Sequence, residues 1–174
     1  MTKDFLSRLQ TRTAEAAIGA SALRNQGAKG VVKAAREALA KMKLKNFIQF
    51  GGGRFLSTLD HTTESVKNAF PAGAKNWGAA RKAINLFLRD SVYNLDLSES
   101  HGLKKIRRWL EVPLDGDVGN ALRSEPEGKT LPRWPGLKKL TPEVSGKYQA
   151  VATKVAKRKR VARVDLDVYY WRGK

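Results

Sequence analysis

The sequence predicts an all-α fold, and three observations carry that expectation. Apolar residues recur at three-to-four spacing along most of the chain, which is the period of a helix with one buried face. Gly, Asn and Pro fall between the periodic stretches, where helices stop. The one segment with strand propensity is short and lies at the C-terminal end. With 174 residues and 41% apolar content, the chain has the size and the core-forming material of one domain, expected to span 1–174.

Phe5, Leu9, Thr13, Ala16 and Ala17 share one face of a first helix, expected to stop near Asn25-Gln26-Gly27. Val31, Ala35, Leu39 and Met42 form the stripe of a second, bounded by Gly30 and Asn46. Gly51-Gly52-Gly53 reads as a loop. A short helix follows with Glu64 in its first turn and Val66 and Phe70 facing inwards. Pro71 ends it, and Gly73 sits in the turn behind. Ile84, Leu88, Ser91, Val92 and Leu95 mark a long helix over 78–97. Gly102 breaks it, and Leu103, Ile106 and Leu110 face inwards on another helix closed by Pro113. Pro126, Pro132, Pro135 and Pro142 punctuate a long loop. Thr141-Pro142-Glu143 is a helix start: a cap, a proline at the first position and an acid in the first turn. Val144, Tyr148, Val151 and Val155 are that helix's buried stripe. The run 164–171 is strand by propensity or a last helical turn by context.

Lys and Arg number 34 against 16 Asp and Glu, a net charge of +18, which points to a polyanionic partner, nucleic acid being the commonest. No cysteine is present and only His61 and His101 could contribute imidazole. Disulfides, thiolate nucleophiles and cysteine-ligated zinc are thereby excluded. No window approaches the roughly 20 apolar residues of a membrane span, and no secretory signal is visible at the N-terminus. The expected setting is cytoplasmic and nucleoid-associated. From Val144 to Val164 there is no acid, while Lys147, Lys154 and Arg158 fall along the side opposite the valine stripe. Each such cation can neutralise a phosphate and release a counterion; the plainer reading is a solvated basic face.

Residues 70–89 carry the chemistry. They read as short helix, tight glycine-bearing turn and long helix, a hairpin that can offer the second helix's N-terminal amides to a phosphate. Lys82 falls in that helix's first turn, where the dipole and Arg81 disfavour a proton on its amine. A lysine so placed is a competent nucleophile. Further on, Asp115 follows an apolar stop and would cap the next helix, which fixes its carboxylate.

Gly78-Ala79-Ala80-Arg81-Lys82-Ala83-Ile84-Asn85 resembles the second half of the helix-hairpin-helix motif of the endonuclease III-like DNA glycosylase superfamily. Pro113-Leu114-Asp115-Gly116-Asp117-Val118 resembles that superfamily's catalytic aspartate segment. The wide separation of Lys82 and Asp115 is more similar to the archaeal 8-oxoguanine glycosylase branch. That branch also carries a C-terminal Asp-x-x-x-Trp, matched by Asp167 and Trp171, and an N-terminal glutamine, for which Gln26 is the counterpart. Ala80 departs from the pattern, standing where the second hairpin glycine is usual.

The resemblance implies a compact helical domain with its helix-hairpin-helix at about 62–97. It implies a DNA N-glycosylase with abasic-site lyase activity, acting as a monomer on double-stranded DNA that contains a modified base. That base would be 8-oxoguanine-like or a modified base of foreign DNA. No cofactor is implied beyond a monovalent cation at the hairpin. Lys82 would attack the anomeric carbon, and Asp115 would deprotonate or orient the amine. Gln26 and Asp167 would read the flipped base, which would stack on Trp171, with Phe50 or Phe55 on its other face. Gly73, Lys75, Trp77, Gly78 and Arg81 at the hairpin, with Lys154 and Arg158, would hold the DNA backbone.

Plainer roles stand beside these. Lys82 alone would be a solvated charge, Asp115 a cap worth about 1 kcal/mol, Trp171 core, and Gln26 a neighbour of a helix end. Trp77 either wedges against DNA or packs the turn, and both histidines flank helix ends. Asp165 and Asp167 lack a third carboxylate at metal-binding spacing. The alternative function is a non-catalytic helix-hairpin-helix DNA-binding protein. RNA binding is disfavoured because no stacking sheet is visible.

Overall fold

Thr2 starts the first helix: its hydroxyl accepts the Phe5 N–H at 3.3 Å, and Asp4 occupies the first turn. This α1 (Lys3–Ala17) is shorter than its periodicity suggests. Arg36 donates to the carbonyl of Ile18 at 2.9 Å, satisfying the helix end, and the chain then winds through successive turns that bury Leu23. The computed structural model describes residues 2–48 and 51–171, and all regular structure in these is helical. The expected all-α class is therefore observed, and the 164–171 ambiguity resolves to helix.

α2 (Val31–Ala40) follows the expected stripe, and its Leu39 and Ala40 carbonyls accept hydrogen bonds from Gln10 of α1. α3 (Gly52–Ala69) is the first large departure. Gly52 and Gly53, expected in a loop, form its opening turn, and Glu64 lies deep within it. Phe55, Leu59, Thr63 and Val66 make one continuous buried stripe. Tertiary packing overrides glycine's weak propensity here, because Phe55 packs edge-on against Phe47 at 5.8 Å and tilts against Trp109 at 6.2 Å.

α4 (Trp77–Tyr93) is the central helix; Ala79, Ala80, Ala83, Ile84, Phe87 and Leu88 are all fully buried. It stops before the expected end because the Asn94 side chain caps a new helix, accepting the Leu97 N–H at 3.0 Å, and Leu95 points outwards. α5 (Leu95–His101) ends at Gly102, which takes the left-handed backbone (φ 67°) expected of such a stop. Leu103–Trp109 is a 3₁₀ helix, not an α-helix. Residues 111–114 follow as a fully buried connector.

α6 (Gly116–Ser124) and α7 (Pro142–Lys159) flank the proline-punctuated stretch, which holds two short 3₁₀ turns. Thr141 caps α7 as expected, accepting the Val144 N–H at 3.3 Å. α8 (Leu166–Tyr170) closes the described chain. Two cores result. One joins α1–α5 and Leu103–Trp109 around α4. The other joins Val112, Leu114 and α6–α8 around Tyr148, whose hydroxyl donates to Pro132 O at 2.7 Å.

Candidate functional site

Asn76 sets the start of α4. Its Oδ1 accepts the Ala79 N–H at 2.9 Å, and its amide donates to Ala74 O at 3.1 Å and Gln26 O at 3.3 Å. One and a half turns later Lys82 leaves the helix with its side chain only 10% exposed, and its Nζ lies 3.1 Å from Asp115 Oδ2. Asp115 also caps α6, its Oδ1 accepting the Val118 N–H at 3.0 Å. Capping therefore uses one oxygen and the lysine the other, so the two readings of Asp115 are compatible.

The third member is Asp167, at the start of α8. It is ion-paired to Arg89, two turns along α4 from Lys82, and its side chain is 13% exposed. Burial pushes its carboxyl up from the ordinary value. Arg89 works against that, Asp115 adds to it, and Lys82 also pulls the carboxyl down. Lys82, Asp115 and Asp167 thus feel one another's charge. On its other side Lys82 borders a crevice with Asn85 and Leu114 that has no room for a water.

A buried polar clamp fixes the two segments against each other. Arg81 forks onto Glu111 at 2.8 and 3.0 Å and also donates to Asp60 and Thr63. Asn85 donates to Glu111 at 3.0 Å, and Gln149 brackets the next residue, accepting Val112 N–H at 3.2 Å and donating to Val112 O at 2.8 Å. Burial alone would raise the Glu111 carboxyl, but Arg81 and Asn85 outweigh it and hold it below the usual carboxylate range. The clamp ties the helix bearing Lys82 to the connector that leads into Asp115.

Several expectations are corrected here. Arg81 is 4% exposed, with its guanidinium spent on Glu111 and Asp60 and set 5.1 Å over the Trp77 ring, so it presents no charge to DNA. Lys82 lies in the second turn of α4, not the first, and the neighbouring Arg81 is turned to Glu111 and Asp60. Gly78 packs against the Leu137 carbonyl, which an added Cβ would meet at 2.2 Å; that contact, not a phosphate, explains the glycine. Trp77 is half-buried and packs against the second core, with Arg81 over its ring, and not against the turn. Arg158 is held by Glu125 at 2.5 Å and Glu127 at 2.7 Å, so two carboxylates compensate its charge. Phe55 is core, 2% exposed, and cannot stack on a base; Phe50 lies outside the described residues.

Gln26, Gly73, Lys75 and Lys154 are placed without being joined to the site. Gln26 is 8% exposed beside the hairpin, its amide donating to Arg24 O at 2.9 Å, and no hydrogen bond links it to Lys82 or the carboxylates. Trp171 is not core, being 69% exposed at the end of the described chain. Gly73, Lys75 and Lys154 are exposed. His61 sits mid-helix in α3 and caps nothing, while His101 ends α5. Asp165 is structural, binding the Tyr93 hydroxyl and Arg107 at 2.6 Å each.

Arg89, Glu111, Asn85 and Gln149 escaped the sequence reading. Arg89 was findable, since two turns from Lys82 is the same helix face. The partners of Glu111 were not, because the ion pair joins distant segments. No helix among the described residues is long and apolar enough to cross a membrane. No family model matches the chain, and no curated protein or solved structure is significantly similar to it.

Proposed function

We propose that the chain is a DNA N-glycosylase with lyase activity, acting on a flipped, modified base that is 8-oxoguanine-like or a modified base of foreign DNA. The observation that carries this reading is the ion pair of Lys82 Nζ with Asp115 Oδ2 at 3.1 Å, with the lysine side chain only 10% exposed and the charge of Asp167 acting on both. A lysine that serves only to hold phosphate needs no carboxylate fixed against it. The motif resemblance assigns the same two residues to the same chemistry.

In this reading Asp115 takes a proton from the Lys82 ammonium, within hydrogen-bond reach. The freed amine attacks C1′ of the target nucleotide, and the N-glycosidic bond breaks with its electron pair leaving on the base, which takes up a proton. That proton comes from Asp115, and the carboxylate so regenerated stabilises the positive charge on the sugar. The new C1′ ammonium passes one proton to O4′ as the C1′–O4′ bond opens, which gives the iminium and a free hydroxyl, and loss of a C2′ proton then expels the 3′ phosphate by β-elimination. Asp167 contacts the extruded base and Trp171 stacks on it. The exposed Lys75 and Lys154 belong to a surface of net charge +18 that holds the duplex without reading sequence.

The test is a panel of duplexes, each carrying one modified base, incubated with the protein and with Lys82→Gln. Base release by the wild-type chain from one or more duplexes, lost in the variant, supports the reading. Salt-sensitive binding to every duplex with no base released from any would make the chain a non-catalytic DNA-binding protein.

A further inference from the structure

Around the proposed nucleophile two cations share three carboxylates. Lys82 pairs with Asp115 at 3.1 Å, while Arg89 binds Asp90 at 2.7 Å and also grips Asp167. Arg89 and Lys82 stand two turns apart on one face of α4, so both reach towards α6 and α8. Asp167 is largely buried and interacts with Lys82 and Asp115 as well as with Arg89. Arg89 is the cation it contacts, and the Lys82 charge acts on it across a longer gap. A second carboxylate against the ammonium would favour the charged, unreactive form of the amine.

We propose that Arg89 is a positioning residue that holds Asp167 off Lys82, leaving Asp115 as the sole partner of the nucleophile. The proposal rests on the reading of Lys82 given above. The charges make it specific. With Arg89 present, Asp90 and Asp167 share one cation and Lys82 keeps Asp115. Without it, Asp167 loses its cation in a buried setting, and the Lys82 ammonium is the remaining cation whose charge acts on it. Neutralising Asp167 would then remove the competitor that the loss of Arg89 releases.

The assay is single-turnover borohydride trapping on a duplex with one abasic site, which offers no base for Asp167 to recognise, with affinity for the same duplex measured separately. Arg89→Gln should slow trapping by about tenfold or more, as expected for one added carboxylate, while affinity stays within about twofold. Adding Asp167→Asn to that variant should restore most of the lost rate, which a merely structural role for Arg89 would not allow. Arg89→Lys, which keeps the charge on a single-headed donor, should lose only a few-fold, again recovered by Asp167→Asn; it carries the test if Arg89→Gln does not fold. Trapping at the wild-type rate in both Arg89 variants, or a double variant as slow as the single, overturns the proposal. If the wild-type chain forms no adduct, the nucleophile reading itself fails and takes this one with it.

Discussion

Replacing Glu111 by Gln keeps the side chain's shape and removes one charge from the deepest ion pair among the described residues. The Arg81 and Glu111 side chains are 5% and 7% exposed, and Glu111 accepts three hydrogen bonds, two from Arg81 and one from Asn85. Stranding one partner of a buried pair costs 3–5 kcal/mol as a rule. Here Arg81 keeps Asp60, whose side chain is 57% exposed, so the lower end applies, about 3 kcal/mol. For a chain of this size that corresponds to a fall in Tm of roughly 6–12 °C near neutral pH. The pH dependence follows from the direction of the Glu111 shift. A carboxyl held below its ordinary value contributes stability above the unfolded-state value of about 4.3, and that contribution is lost as pH falls through the lower native value. Thermal melts followed by circular dichroism should therefore show a wide gap between wild type and Glu111→Gln near neutrality that narrows in acid. The double change Arg81→Met with Glu111→Leu should cost less than the single change, since no buried charge is left unpaired. A gap under about 3 °C, or one undiminished in acid, would refute the clamp as an energetic element.

Gly78→Ala should destabilise by about 1–3 kcal/mol through overpacking, because its Cβ meets the Leu137 carbonyl, which belongs to backbone and cannot swing away; equilibrium denaturation measures it, and a neutral result would mean that the 137–139 turn gives way. Lys154→Ala should lower the salt slope of DNA binding by about 0.9, while Arg158→Ala should leave it nearly unchanged because Glu125 and Glu127 already neutralise that guanidinium. Equal effects would show that Arg158 leaves its carboxylates for DNA. Asp115→Asn keeps a good helix cap but leaves the Lys82 ammonium without its carboxylate, so it should destabilise by about 1–3 kcal/mol and stay folded, while borohydride trapping falls about 10²–10⁴-fold, the usual worth of a general base. A cap-only Asp115 would leave trapping intact.

Legibility in the sequence followed the range of the interactions. The helix at 142–159 was readable because its signals are local: a Thr cap, a first-turn Pro and a valine stripe lie within a few residues of one another. The glycine run at 51–53 misled because local propensity argues for a loop. What makes Gly52 and Gly53 helical is the Phe47, Phe55 and Trp109 cluster, drawn from three segments. The 78–97 helix was read as one because Leu95 fits its stripe; Asn94 breaks it through a side-chain cap that periodicity does not register. At the site, Lys82, Asp115 and Asp167 were each legible as residues in ordered motifs, and the structure brings their charges together. The expected hairpin contacts of Gly78 and Arg81 fared worse. What occupies Gly78 is Leu137 and what occupies Arg81 is Glu111, distant segments that no local pattern announces.

The central claim is that the Lys82 amine is the nucleophile, and covalent trapping tests it most directly. Incubated with an abasic-site duplex and borohydride, the wild-type chain should form a stable protein–DNA adduct, and peptide mass spectrometry should place the linkage on Lys82. Lys82→Gln should abolish the adduct while still binding the duplex. An adduct on another amine, or none from a wild-type chain that binds the duplex tightly, would contradict the account.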